Sequence, residues 1–292
     1  MAINVRDLGR RVGVGAVYVA ITSVATFVSW YTTVIVIAIT AALCCYEFLR
    51  MAQGAGYHPY IIIGTVSAGL IPLAMCLVVN TGHVVVAALT VSFIAGIIML
   101  MRYFAHVEDT IVDVALTLFG YLYTGLMLSS FVMLRGVVPG LEGGLMCFLV
   151  LGSIWANDGF AYLGGSAFGR HKFAPHISPK KTWEGVACGM LASVIFWVLI
   201  VVFVPNCGFG YVWAVISGIV VGYAGIIGDL TESHIKRGFS AKDSGDIMPG
   251  HGGLLDRCEE VYVYEKMRDA ALDLSHHMGY TEVKLPAGRT HL

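Results

Sequence analysis

Two stretches of this chain gather the side chains that do chemistry on phosphates. The longer is GDLTESHIKRGFSAKDSGDIMPGHGGLLDRCEE, from Gly228 to Glu260, at the end of an apolar run. If helix continues past Asp229, then Asp229, Glu232, Ser233 and Lys236 stand at i, i+3, i+4 and i+7 and share one face. Downstream, Lys242 and Asp243 precede the turn Pro249-Gly250-His251-Gly252-Gly253, which leads to Asp256 and Arg257. Backbone N–H groups of such a turn can cradle phosphate oxygens. The other stretch, WANDGFAYLGGSAFGRHKFAPHISPKKTWEG from Trp155 to Gly185, places Asp158 upstream of Ser178, Lys180, Lys181 and Glu184. Aspartate supplies hard oxygen for Mg2+, which takes one or two carboxylates and fills its shell with waters and phosphates. Lys and Arg neutralise the remaining phosphate charge. The two clusters therefore predict a metal-assisted reaction of a nucleotide or phosphate. Zinc is not expected, because His171, His176, His234 and His251 lack ligand spacing with one another or with cysteine.

The elements that carry these clusters are built for lipid. Of 292 residues, 57% are apolar and 13% charged, about half the charge of a soluble domain. The balance of 18 Lys and Arg against 19 Asp and Glu gives −1, so there is no basic footprint for nucleic acid. Eight stretches approach the ~20 residues that cross a bilayer: 12–29, 31–49, 60–79, 83–101, 112–134, 143–165, 185–204 and 209–229. The first is read as a retained span rather than a cleaved signal. With both termini inside, every Lys and Arg except Arg135 falls on the cytoplasmic side, as the positive-inside rule requires. Both polar clusters share that side. The expected fold class is all-α: a polytopic integral membrane helical protein of about eight transmembrane helices with two cytoplasmic catalytic loops.

The halves differ in character. Residues 1–140 read as a transmembrane scaffold whose small residues suit helix packing, and 141–265 as the catalytic transmembrane half. Residues 266–292 read as a polar cytoplasmic tail. Within the scaffold, Glu47 and Asp113 lie near span ends and are read as carboxylates reaching the interface, with no chemical role. The seven cysteines show no redox or zinc spacing and are read as apolar filler.

From Ser233 to Arg257, with Gly228, Asp229, Leu230 and Glu232 before it and Asn157, Asp158 and ISPKKTWEG earlier, the sequence resembles the CTP:phosphatidate cytidylyltransferase family. The motifs cover about a hundred residues of the C-terminal half. The resemblance implies transfer of a cytidylyl group from CTP to phosphatidic acid, giving CDP-diacylglycerol and pyrophosphate, with Mg2+ and K+ as a candidate second ion. It implies Asp229 and Asp256 as metal carboxylates, with Asp158 and Asp243 next for metal or water. Ser178, Lys180, Lys181, Ser233, Lys236, Arg237, Lys242, His251 and Arg257 match positions that line the nucleotide and phosphatidate sites. It further implies a homodimer in a bacterial-type inner membrane. The chain departs from the family pattern at Cys258 and Glu259, after Asp-Arg, and at Met248.

Two other readings stay open at this level. An inactive nucleotide or lipid binder is motivated by Cys258 and Glu259. An ion or proton transporter would use Asp158 and Asp229 as coupling sites, although no inverted repeat of interrupted helices is visible.

Overall fold

The computed structural model describes residues 18–77, 84–105, 110–137, 140–203, 210–241, 244–245 and 253–255. Helix dominates them because apolar segments in lipid must satisfy their own backbone hydrogen bonds. In order they form α1 (Tyr18–Val28), α2 (Trp30–Gly54), α3 (Ile61–Leu77), α4 (Val84–Ala105) and α5 (Ile111–Tyr121). A π turn at Leu122–Leu126 joins α5 to α6 (Met127–Val137). Then come α7 (Gly140–Phe168), β1 (Lys172–Ala174), β2 (Ser178–Thr182), α8 (Trp183–Phe203) and α9 (Tyr211–Gly238).

The described residues of each of the eight apolar stretches are largely helical. Five helical runs among the described residues are long and apolar enough to cross a membrane: Trp30–Gly54, Ile111–Gly136, Gly140–Phe168, Trp183–Phe203 and Tyr211–Gly238. Three apolar runs, Tyr18–Val28, Ile61–Ala74 and Leu89–Ala105, are shorter. Large apolar side chains such as Ile62, Phe93, Phe104, Leu191 and Val212 stand exposed along the helices, as lipid-facing residues do. The chain is thus an all-α polytopic membrane protein, and among the described residues the one departure is the short hairpin within the first polar cluster.

The chain divides into two compact units. One takes the described residues up to Val132 together with those from Gly238 to Leu255. Here α2 begins at a capping box, where Ser29 and Thr32 satisfy each other's backbone N–H groups. Glycines let neighbouring helices approach: a Cβ on Gly64 of α3 would lie 2.5 Å from Leu49 of α2, and one on Gly125 would lie 2.8 Å from the Ala68 carbonyl of α3. Asp113 does not reach an interface. It is 1% exposed, closes the capping box of α5 with Thr110 and accepts the His58 N–H at 2.6 Å. The peptide before α3 carries an N–H that this carboxylate is placed to satisfy.

The other unit takes Met133 to Arg237. Asn157 on α7 ties three helices together: its Nδ2 donates to the Gly222 carbonyl of α9 at 2.8 Å, and its Oδ1 sits where a Cβ on Gly189 of α8 would be. Gly218 packs on the backbone of Val194, so this small-residue face serves contact within the chain. A buried polar knot adds specificity. Trp197 Nε1 donates to Ser153 Oγ at 3.0 Å, and Ser153 Oγ meets Ser193 Oγ at 2.8 Å. Ser153→Ala removes both bonds and is expected to cost about 1 kcal/mol, read as a lowered thermal midpoint in detergent.

Candidate active site

The first polar cluster forms an antiparallel hairpin, with Lys172 opposite Thr182 and Ala174 opposite Ser178. Phe173 and Trp183 meet edge to face at 4.6 Å across it. The Trp183 N–H donates to the His171 carbonyl at 2.9 Å, and His171 Nδ1 pairs with Glu184 Oε1 at 2.6 Å. Thr182, 5% exposed, accepts the Gly185 N–H at 3.2 Å and so joins β2 to the start of α8. A Cβ on Gly169 would overlap this threonine; the glycine is required by that close approach. Strand alternation then turns Lys180 outward and Lys181 inward.

The second cluster begins on α9. At 1.5 Å per residue its 28 residues span about 42 Å, more than the ~30 Å of hydrocarbon. The last turns, Asp229 to Gly238, are the polar ones. Helix does continue past Asp229, and the expected stripe forms: Ser233 Oγ donates to Asp229 Oδ1 at 3.4 Å, and Lys236 Nζ meets Glu232 Oε1 at 2.9 Å. Lys181 Nζ of the hairpin forms an ion pair with Asp229 Oδ2. Hairpin and helix thereby bring together an ammonium, a carboxylate and a hydroxyl, with Lys181 23% and Asp229 33% exposed at their side chains.

The structure places the other expected residues unevenly. Ser178 is half-buried on β2, Lys180 is exposed, and Arg237 is exposed at the end of α9. Asp158 is exposed on α7 next to buried Asn157. Lys242, Asp243, His251, Asp256 and Arg257 lie outside the described residues, as do Met248, Cys258 and Glu259. Glu232, absent from the expected set, is fully buried and holds Lys236.

Among the described residues no three of His, Cys, Asp and Glu converge on one point. A cage made only of protein ligands is therefore not formed by them. Asp229 still fits Mg2+, because this ion needs only one or two carboxylates when phosphates and waters complete its shell. Its carboxylate is hard oxygen, accessible, and set beside a cation that can take part of a phosphate's charge.

Glu47 corrects the sequence reading. Far from reaching the interface, it is 2% exposed, and its two oxygens accept the N–H groups of Leu254 at 2.9 Å and Leu255 at 2.8 Å. Ser244 Oγ donates to Oε2 at 3.3 Å. No pattern in the apolar run around Glu47 announced this. The only available signal was an acidic residue in a span rich in Ala and Ile, where charge is expensive and usually has a partner.

Apolar helices with polar groups held at their ends define a membrane-embedded helical protein. Residues 9–264 match the model of the cytidylyltransferase family, and the chain belongs to that family. It is 40% identical over 142 residues to a phosphatidate cytidylyltransferase of Brucella abortus, covering 48% of this chain and 50% of the relative. It is 30% identical over 267 residues, 80% of this chain and 64% of the relative, to the chloroplastic phosphatidate cytidylyltransferase 5 of Arabidopsis thaliana. To the phosphatidate cytidylyltransferase of Bacillus subtilis it is 32% identical over 164 residues, 56% of this chain and 60% of the relative. The chain thus spans about half the length of the Brucella relative.

Proposed function

We propose that this chain transfers a cytidylyl group from CTP to phosphatidic acid, releasing pyrophosphate and leaving CDP-diacylglycerol in the membrane. The observation that carries the reading is the Lys181–Asp229 pair, where the hairpin of one polar cluster meets the α9 stripe of the other. Relatives named for this activity support it.

In this reaction a phosphatidate oxygen forms a bond to the α-phosphorus of CTP, and the bond from that phosphorus to the bridging oxygen breaks. The electron pair leaves with pyrophosphate. The attacking oxygen is already anionic, so alignment and charge neutralisation matter more than a general base. We assign no base. Lys180, Lys181 and Arg237 supply positive charge for the phosphates. Asp229, with Asp256, would hold Mg2+, which when bound draws charge from the phosphate oxygens and the leaving pyrophosphate. K+ is the proposed second ion. Lys242, Asp243, His251 and Arg257 join this machinery by their place in the motif.

The amphiphilic substrate explains a site at the ends of apolar helices, with acyl chains in lipid and CTP in water. The positive-inside pattern supports a cytoplasm-facing site in an inner membrane, and a homodimer is the proposed assembly. The same division of labour gives 1–140 as scaffold, 141–265 as catalytic half and 266–292 as tail. The test is Mg2+-dependent formation of CDP-lipid and pyrophosphate from CTP and phosphatidic acid in detergent. Product is expected with phosphatidic acid and not with diacylglycerol, which has a neutral hydroxyl in place of the anionic phosphate. CTP binding without product overturns the reading in favour of an inactive binder.

A further inference from the structure

A buried carboxylate must be held by donors, and those holding Glu47 belong to the motif segment itself. Leu254 and Leu255 present successive backbone N–H groups to its two oxygens, the arrangement by which an acidic side chain caps the start of a helix. Leu255 itself is helical. Gly253 comes so close that a Cβ there would overlap Ser244 Oγ and Glu47 Oε2, and one on Gly245 would lie 3.0 Å from Glu47 Oε1. Leu254 and Leu255 are 5% and 0% exposed. The neighbouring residue works for the same end: Phe48 meets Phe239 at 5.5 Å, and Tyr57 meets it at 6.4 Å. Ser240 adopts φ 56°, an uncommon backbone state for a serine, immediately after Phe239.

The residue after Leu255 is Asp256. A peptide bond joins the two, so whatever fixes the Leu255 amide limits the point from which the chain continues. We propose that Glu47 is a positioning residue: from α2 it clamps the Leu254 and Leu255 amides and thereby sets the backbone that carries Asp256 and Arg257. The proposal rests on the cytidylyltransferase reading for what the clamped segment does, and on the hydrogen bonds alone for the clamp. Glu47, 2% exposed, acts through the segment it holds. Its effect passes through geometry, where a displacement of about 1 Å can cost ~100-fold in rate.

Glu47→Gln tests this in the full-length chain, because the amide keeps the shape but turns an N–H2 toward one of the two donors. Amide exchange of the peptide spanning 250–258 is measured beside kcat and KM for CTP. Exchange at Leu254 and Leu255 is expected to speed up about tenfold or more, with α7 to α9 unchanged. We expect kcat to fall at least about tenfold while KM moves little. Gly253→Ala, which pushes on the same contact from the other side and keeps the carboxylate, is expected to give the same pattern if the first variant fails to fold. Unchanged exchange in 250–258 overturns the clamp. A uniform rise across the chain overturns positioning in favour of general destabilisation. If the native chain makes no CDP-lipid but the local exchange responds, the clamp stands and the cytidylyltransferase reading falls.

Discussion

Asp229→Asn is expected to leave the helices folded and to lower Mg2+-dependent CDP-lipid formation by about 100- to 1000-fold, the usual cost of removing one electrostatic contributor to a charged transition state. Asparagine is nearly isosteric, and Ser233 still has an oxygen to bond at that position. What disappears is the negative charge facing Lys181 and the hard anionic oxygen offered to Mg2+. The check is pyrophosphate release from CTP and phosphatidic acid, with CTP binding measured alongside. Lys181→Met extends the test. If ammonium and carboxylate act as one unit, the double variant will be little worse than Asp229→Asn alone. Turnover near the native level in Asp229→Asn would remove this carboxylate from the metal centre.

Lys236→Met is expected to act mainly on stability. Glu232 has no solvent exposure, and its Oε1 lies 2.9 Å from Lys236 Nζ. Taking one partner from a buried ion pair costs about 3–5 kcal/mol, because the remaining charge keeps its desolvation penalty. A large fall in the thermal midpoint in detergent is the expected result, with the double variant Glu232→Gln, Lys236→Met recovering part of it. A fall in activity at unchanged midpoint would return Lys236 to the phosphate site, where its motif position had put it.

Those two residues show how far spacing alone reaches. The period of 3.6 was enough to align Asp229, Glu232, Ser233 and Lys236, since α9 does run on to Gly238. It did not separate their tasks, because which carboxylate is covered depends on neighbouring helices. The hairpin at 172–182 was hidden for a related reason: with Pro175 and Pro179 the segment reads as loop, and strand pairing is a long-range choice that a two-stranded ribbon barely signals. The apolar runs were legible because lipid makes one demand of every spanning residue. Glu47 was not legible, since its partners are backbone amides, which every residue has.

The hydrogen bond from Leu255 to Glu47 joins positions 208 residues apart. At ~5–20 residues per second of synthesis, Glu47 is made about 10–40 s before the amides that will cover it. Throughout that interval the nascent helix α2 must keep a carboxylate hydrated, or screened by a temporary neighbour, among residues otherwise suited to lipid. Maturation of the protein therefore includes a late docking event. A ribosome stalled before codon 254 would hold an inserted chain whose Glu47 still lacks the Leu254 and Leu255 amides that cover it.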